Sequence, residues 1–275
     1  DSSLDHQSVF ARYYDAGTMT WASRYTLNTS DLNEAFIVDL QADPTGGFLV
    51  LWGEFDASYN IRGWARFYRG GGLQPAVPLW DHADDYYPYG AAFDSAGNAF
   101  VLAAAEGIIA AVRYQEAGGW RPPEILQPDA GWDKNLEDFS VSPGGDAFAV
   151  WRQEISGAAN LFVRRYDFDQ GAWESAVNIY VPGSGEDAAG ASIVSDVEGN
   201  AMASWYAGDG SSGSYFAARY FGATGSWGAA TEIDNGALDT AVYSTCLGVS
   251  GDGTVMAAWA QGAAADEDIY SNIFE

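Results

Sequence analysis

The chain has 275 residues, 48% of them apolar, 15% aromatic and 33 of them glycine, so it has ample material for a core and is not a disordered protein. Its 12 basic residues stand against 38 acidic ones, and the resulting net charge of −26 repels phosphate backbones and argues against nucleic acid as a partner. Abundant glycine and aromatic residues, without Lys- or Glu-rich helical stretches, point to short strands joined by turns and an all-β fold.

In chain order, the first element is a strand through VFARY at Val9–Tyr13, within Ser8 to Tyr14, and the second runs from Trp21 to Leu27. We name these strands a and b. A link, NTSDLNEAF, leads to strand c, which enters the turn DPTGG at Asp43, and strand d follows to Trp52. The order then repeats. RGWARFY supplies the next a strand, Leu73 to Leu79 the next b strand, and WDHADDYYPYG the next link. Later copies carry the turns DSAGN at Asp94, SPGGD at Ser142, DVEGN at Asp196 and SGDGT at Ser250. Aligned on Gly46, Gly97, Gly145, Gly199 and Gly253, the copies are spaced by 51, 48, 54 and 54 residues. Trp52, Ala103, Trp151, Trp205 and Trp259 each stand six residues after that glycine.

In each turn, Asp or Ser accepts local backbone N–H groups and Gly supplies the positive φ, so five copies of the phrase mark a structural corner and not five chemical sites. Strand d has apolar residues on both faces, as in Ala147 to Trp151, which requires packing on both sides. Four strands per copy and a long link from b to the next c give a five-bladed β-propeller of four-stranded blades in a single domain, residues 1–275. Closure is expected where residues 21–27 complete the blade of residues 244–274, which leaves one spare a strand. The arginines Arg12, Arg66, Arg113, Arg165 and Arg219 read as a recurring position that covers inter-blade packing.

The phrases GDAFAVWRQ (145–153), IIAAVRY (108–114) and GSW (225–227) resemble a propeller-type repeat of uncharacterised secreted proteins and lipoproteins of proteobacteria. The resemblance covers nearly the whole chain from Ser8 and implies architecture rather than activity. It also implies an extracellular or cell-surface location.

Few motifs of catalysis are present. His6 and His82 are the only histidines and neither neighbours a nucleophile motif; no HExxH, phosphate loop or dinucleotide loop occurs. Cys246 is the only cysteine, so an intramolecular disulfide is excluded, and its apolar strand setting predicts a buried, inert thiol. No cofactor is implied, with calcium the one candidate, for which DHADDYY and AAADEDIY offer oxygen atoms; a solvated charge run is the competing reading. Carboxylates Asp85, Glu137 and Asp187 are the candidates for glycosidase chemistry, but nothing in the sequence gives any of them a raised pKa.

The links vary most, and binding residues sit on loops that a regular scaffold displays. Trp80 and Trp132 stand outside the recurring positions, beside Asp84, Asp85, Tyr86, Tyr87 and Asp133. Flat rings stack on the C–H faces of sugars, and carboxylates accept hydroxyl hydrogen bonds. These seven residues are the expected glycan site of a non-catalytic binding module; the competing role for the two tryptophans is to cap blade ends. A protein-interaction scaffold that binds a surface protein is the first alternative function, and a glycoside hydrolase the second.

Overall fold

The computed structural model describes residues 7–29, 34–80, 86–105, 107–127, 134–234, 245–263 and 266–274. Every regular element among them is a β-strand in antiparallel pairing, and no helix is long and apolar enough to cross a membrane. The chain divides into two compact units, residues 1–92 with 99–127 and residues 93–98 with 128–275.

Four sheets repeat the order c, d, a, b. Sheet I consists of Ala35–Ala42, Phe48–Phe55, Ile61–Arg69 and a b strand in two pieces, Gly72–Leu73 and Val77–Pro78, both paired with strand a. Sheet II is built in the same way from Tyr87–Phe93, Ala99–Ala105, Ile108–Gln115, Gly119–Trp120 and Glu124–Gln127. In these two sheets the break in b falls at Pro75 and at Pro122 and Pro123, which cannot donate to the ladder. Sheet III comprises Lys134–Val141, Ala147–Ile155, Ala158–Asp167, Ala172–Trp173 and Val177–Tyr180; sheet IV comprises Asp187–Ser195, Ala201–Gly208, Gly213–Phe221, Ser226–Trp227 and Thr231–Glu232. Sheet V has three strands, Thr245–Val249, Val255–Ala263 and Asp266–Phe274.

The N-terminal a and b strands pair with each other, Phe10–Ala11 with Tyr25–Thr26 and Tyr14–Asp15 with Thr20–Trp21. Val9 and Leu27 of this hairpin pack with Val50 and Trp52 of sheet I in one apolar cluster. Asp266–Phe274 fills the a position of sheet V.

Strand d carries the core. Residues Ala147 to Trp151 are all buried, as two-sided packing requires. Three of the recurring tryptophans stack flat on the ring directly opposite in strand a: Trp52 on Trp64 at 6.4 Å, Trp151 on Phe162 at 5.9 Å and Trp205 on Phe216 at 6.2 Å. Such cross-strand aromatic pairs fix the register of the sheet.

The corner reading of the repeated phrase holds at the atomic level. In each turn the first residue donates its N–H to the carbonyl four residues on, at 2.7 to 3.0 Å, and the glycine N–H returns to the first residue's carbonyl. The five aligned glycines have φ from 77° to 105°, a region that side-chain-bearing residues rarely enter. Asp196 Oδ1 accepts the N–H groups of Glu198 and Asn200, both at 2.9 Å, and its Oδ2 accepts the Asn200 amide at 2.8 Å. Asp94 makes the same set with Ala96 and Asn98.

Two expectations are corrected. The pairs Tyr14–Trp21, Tyr68–Leu73, Tyr114–Trp120, Tyr166–Trp173 and Tyr220–Trp227 set the true register of strands a and b. Arg12 and Arg66 lie two residues before their tyrosines, whereas Arg113, Arg165 and Arg219 lie one before. The five arginines therefore do not share a position, because one step along a strand turns a side chain to the other face. Arg12 and Arg66 instead match Arg164, and all three donate Nε–H to the carbonyl of the residue just after the paired Trp or Leu. Cys246, expected to be buried, is exposed.

Candidate functional site

The d–a hairpins and the first residues of strands c lie at one end of each sheet, where the repeat is least uniform. In the first unit this end is aromatic. Trp80 and Tyr86 are only 6% and 3% exposed, and their rings stack at 5.8 Å with an interplanar angle of 6°. The Trp80 ring lies over Gly63, where a Cβ would stand 2.8 Å from it. The expectation that Trp80 and Tyr86 display their rings to a sugar is thus corrected: each ring is consumed by packing, and Gly63 makes the room. Tyr87 is 52% exposed and stacks on Phe36 at 5.3 Å. Asp84, Asp85, Trp132 and Asp133 lie outside the described residues, as do residues 264–265 of the second acidic stretch.

Phe36 also leans on Phe55 at 5.7 Å and covers Gly53, where a Cβ would overlap the ring. Nearby, the buried Glu54 carboxylate accepts the Trp52 indole N–H at 2.7 Å, the Thr29 N–H at 2.6 Å and the Thr29 hydroxyl at 2.7 Å.

In the second unit the same end is polar. Strand c of sheets III and IV slips register between Leu136 and Asp138 and between Ala189 and Ser192. Such bulges leave N–H groups out of the ladder. Two successive carboxylates of sheet III accept them: Glu137 takes the N–H groups of Gly190 and Ala191, while Asp138 Oδ2 takes the Ile193 N–H at 2.8 Å and the Ser192 hydroxyl at 3.1 Å. In the first unit Asp39 does likewise, its Oδ2 accepting the Ala91 N–H at 2.8 Å.

Glu137 borders an open cleft of about 530 Å³ with Arg152, Asp187, Ala189, Gly208 and Asp209. Arg152 Nε lies 3.5 Å from the Glu137 carboxylate. Asp187 Oδ1 accepts the Ala159 N–H at 2.7 Å, and Asp209 Oδ1 accepts those of Ser211 and Ser212, both at 2.8 Å. Burial raises the Glu137 pKa above the usual carboxylate value, outweighing Arg152 and the two N–H donors. The Asp209 carboxyl is held below its usual value by the Ser212 and Ser211 N–H groups.

Of the three carboxylates expected from sequence, Glu137 and Asp187 share this cleft, and Asp85 is outside the described residues. Arg152 and Asp209 were missed. A signal for Arg152 existed: it follows the recurring Trp151, where the other copies have Gly53, Ala104, Tyr206 and Ala260.

No family model matches the sequence, and neither does any curated protein. Among solved structures the chain is similar to a protein of unknown function from Dyadobacter fermentans, with TM-score 0.52, 14% identity and coverage of 92% of this chain and 80% of that one. It is also similar to an ulvan lyase of polysaccharide lyase family PL25, with TM-score 0.51, 10% identity and coverage of 92% and 77%. A looser likeness joins it to the NanB sialidase of Streptococcus pneumoniae, with TM-score 0.47, 8% identity and coverage of 95% of this chain but 40% of that one. At these identities the likeness is one of fold.

Proposed function

We propose that the chain is a five-bladed β-propeller, exported to the cell surface or beyond, that binds glycan at the end of the sheets where the d–a hairpins and the b–c links lie. The observation that carries this reading is the cleft of Glu137, Arg152, Asp187 and Asp209, which sets hydrogen-bond donors and acceptors together on a rigid strand scaffold. Closure is supported by complementary parts: an a–b hairpin at residues 10–26 and a three-stranded c–d–a sheet at residues 245–274, with Leu40 and Phe48 of sheet I 58% and 37% exposed beside the hairpin. Among the link residues, Tyr87 offers an exposed ring in the first unit, and Asp84 and Asp85 of that unit, and Trp132 and Asp133 of the second, remain candidate ligands, each within its own unit.

Binding is favoured over catalysis because Glu137 is engaged by two N–H groups and Arg152 in clasping the next strand. One observation favours the alternative of a glycoside hydrolase: the cleft joins a carboxyl of raised pKa, Glu137, to one of lowered pKa, Asp209, and acid and base roles need such a divergence. A glycan array followed by titration, in parallel with an assay for newly released reducing ends, tests both. Binding that Asp187→Asn weakens at least tenfold, without bond cleavage, supports the module; cleavage abolished by Glu137→Gln replaces it with the hydrolase; no binding to any glycan rejects both.

A further inference from the structure

We infer that the first unit carries a second sugar-binding site, in the side cleft between strands a and b of sheet I and those of sheet II, and that it takes a neutral sugar. The cleft has a volume of about 440 Å³ and is bordered by Arg66, Phe67, Arg69, Gln74, Tyr114 and Trp120. That volume lies in the roughly 300–1,000 Å³ range of small-molecule sites.

The repeat departs from its own pattern here by two coordinated changes. In the turns of sheets II and IV, Oδ2 of Asp94 and of Asp196 accepts the side-chain amide of Asn98 and of Asn200. Sheet I has Gly47 at that position, so no amide is available. The Arg69 guanidinium takes its place on Asp43, whose side chain is fully buried. Arg69 follows the register-setting Tyr68, where the other copies have Asp15, Gln115, Asp167 and Phe221. A cation, Arg69, therefore stands at this cleft where the turn's own amide is missing.

Arg69 is fixed there. Its guanidinium carbon lies 4.0 Å from the Phe67 ring centroid and 5.2 Å from that of Tyr114, and Nη1 donates to the Tyr114 hydroxyl at 2.9 Å. Nη1 also pairs at 2.8 Å with Glu116, whose side chain is 42% exposed. Trp120 is half-buried, packing on Tyr114 at 5.3 Å and Phe67 at 6.0 Å, which holds its ring in a set orientation. Gln74 stands exposed at the lip.

These groups match a sugar: the Trp120 ring, held by its packing, for the C–H face, and the Glu116 carboxylate beside Arg69 and the Gln74 amide at the lip for the hydroxyls. The charges select among sugars. At the cleft Arg66 and Arg69 balance Asp43 and Glu116, so the selection falls to the net charge of −26 on the chain, which disfavours a uronic acid or other anionic sugar and leaves a neutral one unaffected.

The site shares its ligand class with the cleft of the second unit but uses none of its residues, so the two readings fail separately. The test is calorimetric titration with glucose, galactose, mannose, fucose and N-acetylglucosamine, and with glucuronic and galacturonic acid. It uses the whole chain and its Glu116→Gln, Trp120→Phe and Asp187→Asn variants, with a melting curve for each. The expected result is neutral-sugar binding that Glu116→Gln weakens at least tenfold with its melting temperature unchanged, and a part of which persists in Asp187→Asn after the second unit's own site is lost. Trp120→Phe, which keeps a ring, retains part of the affinity. The proposal is overturned if no neutral sugar binds, if Glu116→Gln binds as the parent does, if the uronic acids bind as well as their neutral counterparts, or if Asp187→Asn alone abolishes all binding.

Discussion

The ends of sheets I and III occupy the same place in the repeat and are built in opposite ways. In sheet I the residue after the recurring Trp52 is Gly53, and Phe36 lies over it, joined by Phe55 and Tyr87. In sheet III the residue after Trp151 is Arg152, and it turns to Glu137, which clasps the N–H groups of the next strand c. The turn at the far end of strand d and the tryptophan stack are alike in both sheets. The repeat fixes its core and its corner, while the loop end varies from sheet to sheet, aromatic packing in one and ionic clasp in the other.

The largest expected effect lies on the aromatic side. Trp80→Ala removes a ring that is 6% exposed and should cost about 3–5 kcal/mol in a denaturant titration. A loss below about 1 kcal/mol would return Trp80 to the role of a displayed sugar platform, which costs little to delete. Next comes the part both ends share. Asp196→Ala strands two backbone N–H groups and the Asn200 amide, and should cost about 2 kcal/mol. Because this carboxylate is a corner, glycan binding should be unaffected; lost binding with unchanged melting would contradict that.

Gly53→Ala sharpens the contrast itself. An added methyl displaces the half-buried Phe36 ring from its contacts with Phe55 and Tyr87, at a cost of about 1–3 kcal/mol. Arg152→Ala should leave the melting temperature of the sheet III end nearly as it was, for a partly exposed ion pair contributes little. If instead Arg152→Ala proves the costlier of the two, the ionic end is the more tightly built.

The smallest effect is one of pH. Glu137 binds its proton more tightly folded than unfolded, so its contribution to stability falls as pH rises from the ordinary glutamate value through its raised one. Asp209 is the reverse: its contribution is present above the ordinary aspartate value and is lost as pH falls through its lowered one. Melting temperature against pH for Glu137→Gln and Asp209→Asn, each compared with the parent, should therefore show differences of opposite slope. Slopes of one sign would remove the distinction between the two carboxylates.

The strand order c, d, a, b, the five corners and the two-sided burial of strand d are legible along the chain, because each follows from local chemistry: a glycine at positive φ, a side chain that caps its own turn, and the two-residue period of a strand. The sequence also held the clue to Arg152, as a break in a repeated position. The rest follows from long-range packing. The arginines looked equivalent in sequence, but the partner strand sets the register, and a shift of one residue sends Arg66 and Arg165 to opposite faces. Trp80 looked displayed because it stands outside the repeat, yet Gly63, 17 residues earlier in the chain, provides the space that buries it. Glu137 and Asp187, 50 residues apart, share a cleft because the bulges in two neighbouring strands bring a carboxylate against unpaired N–H groups, and that meeting depends on how sheets pack and not on any local pattern.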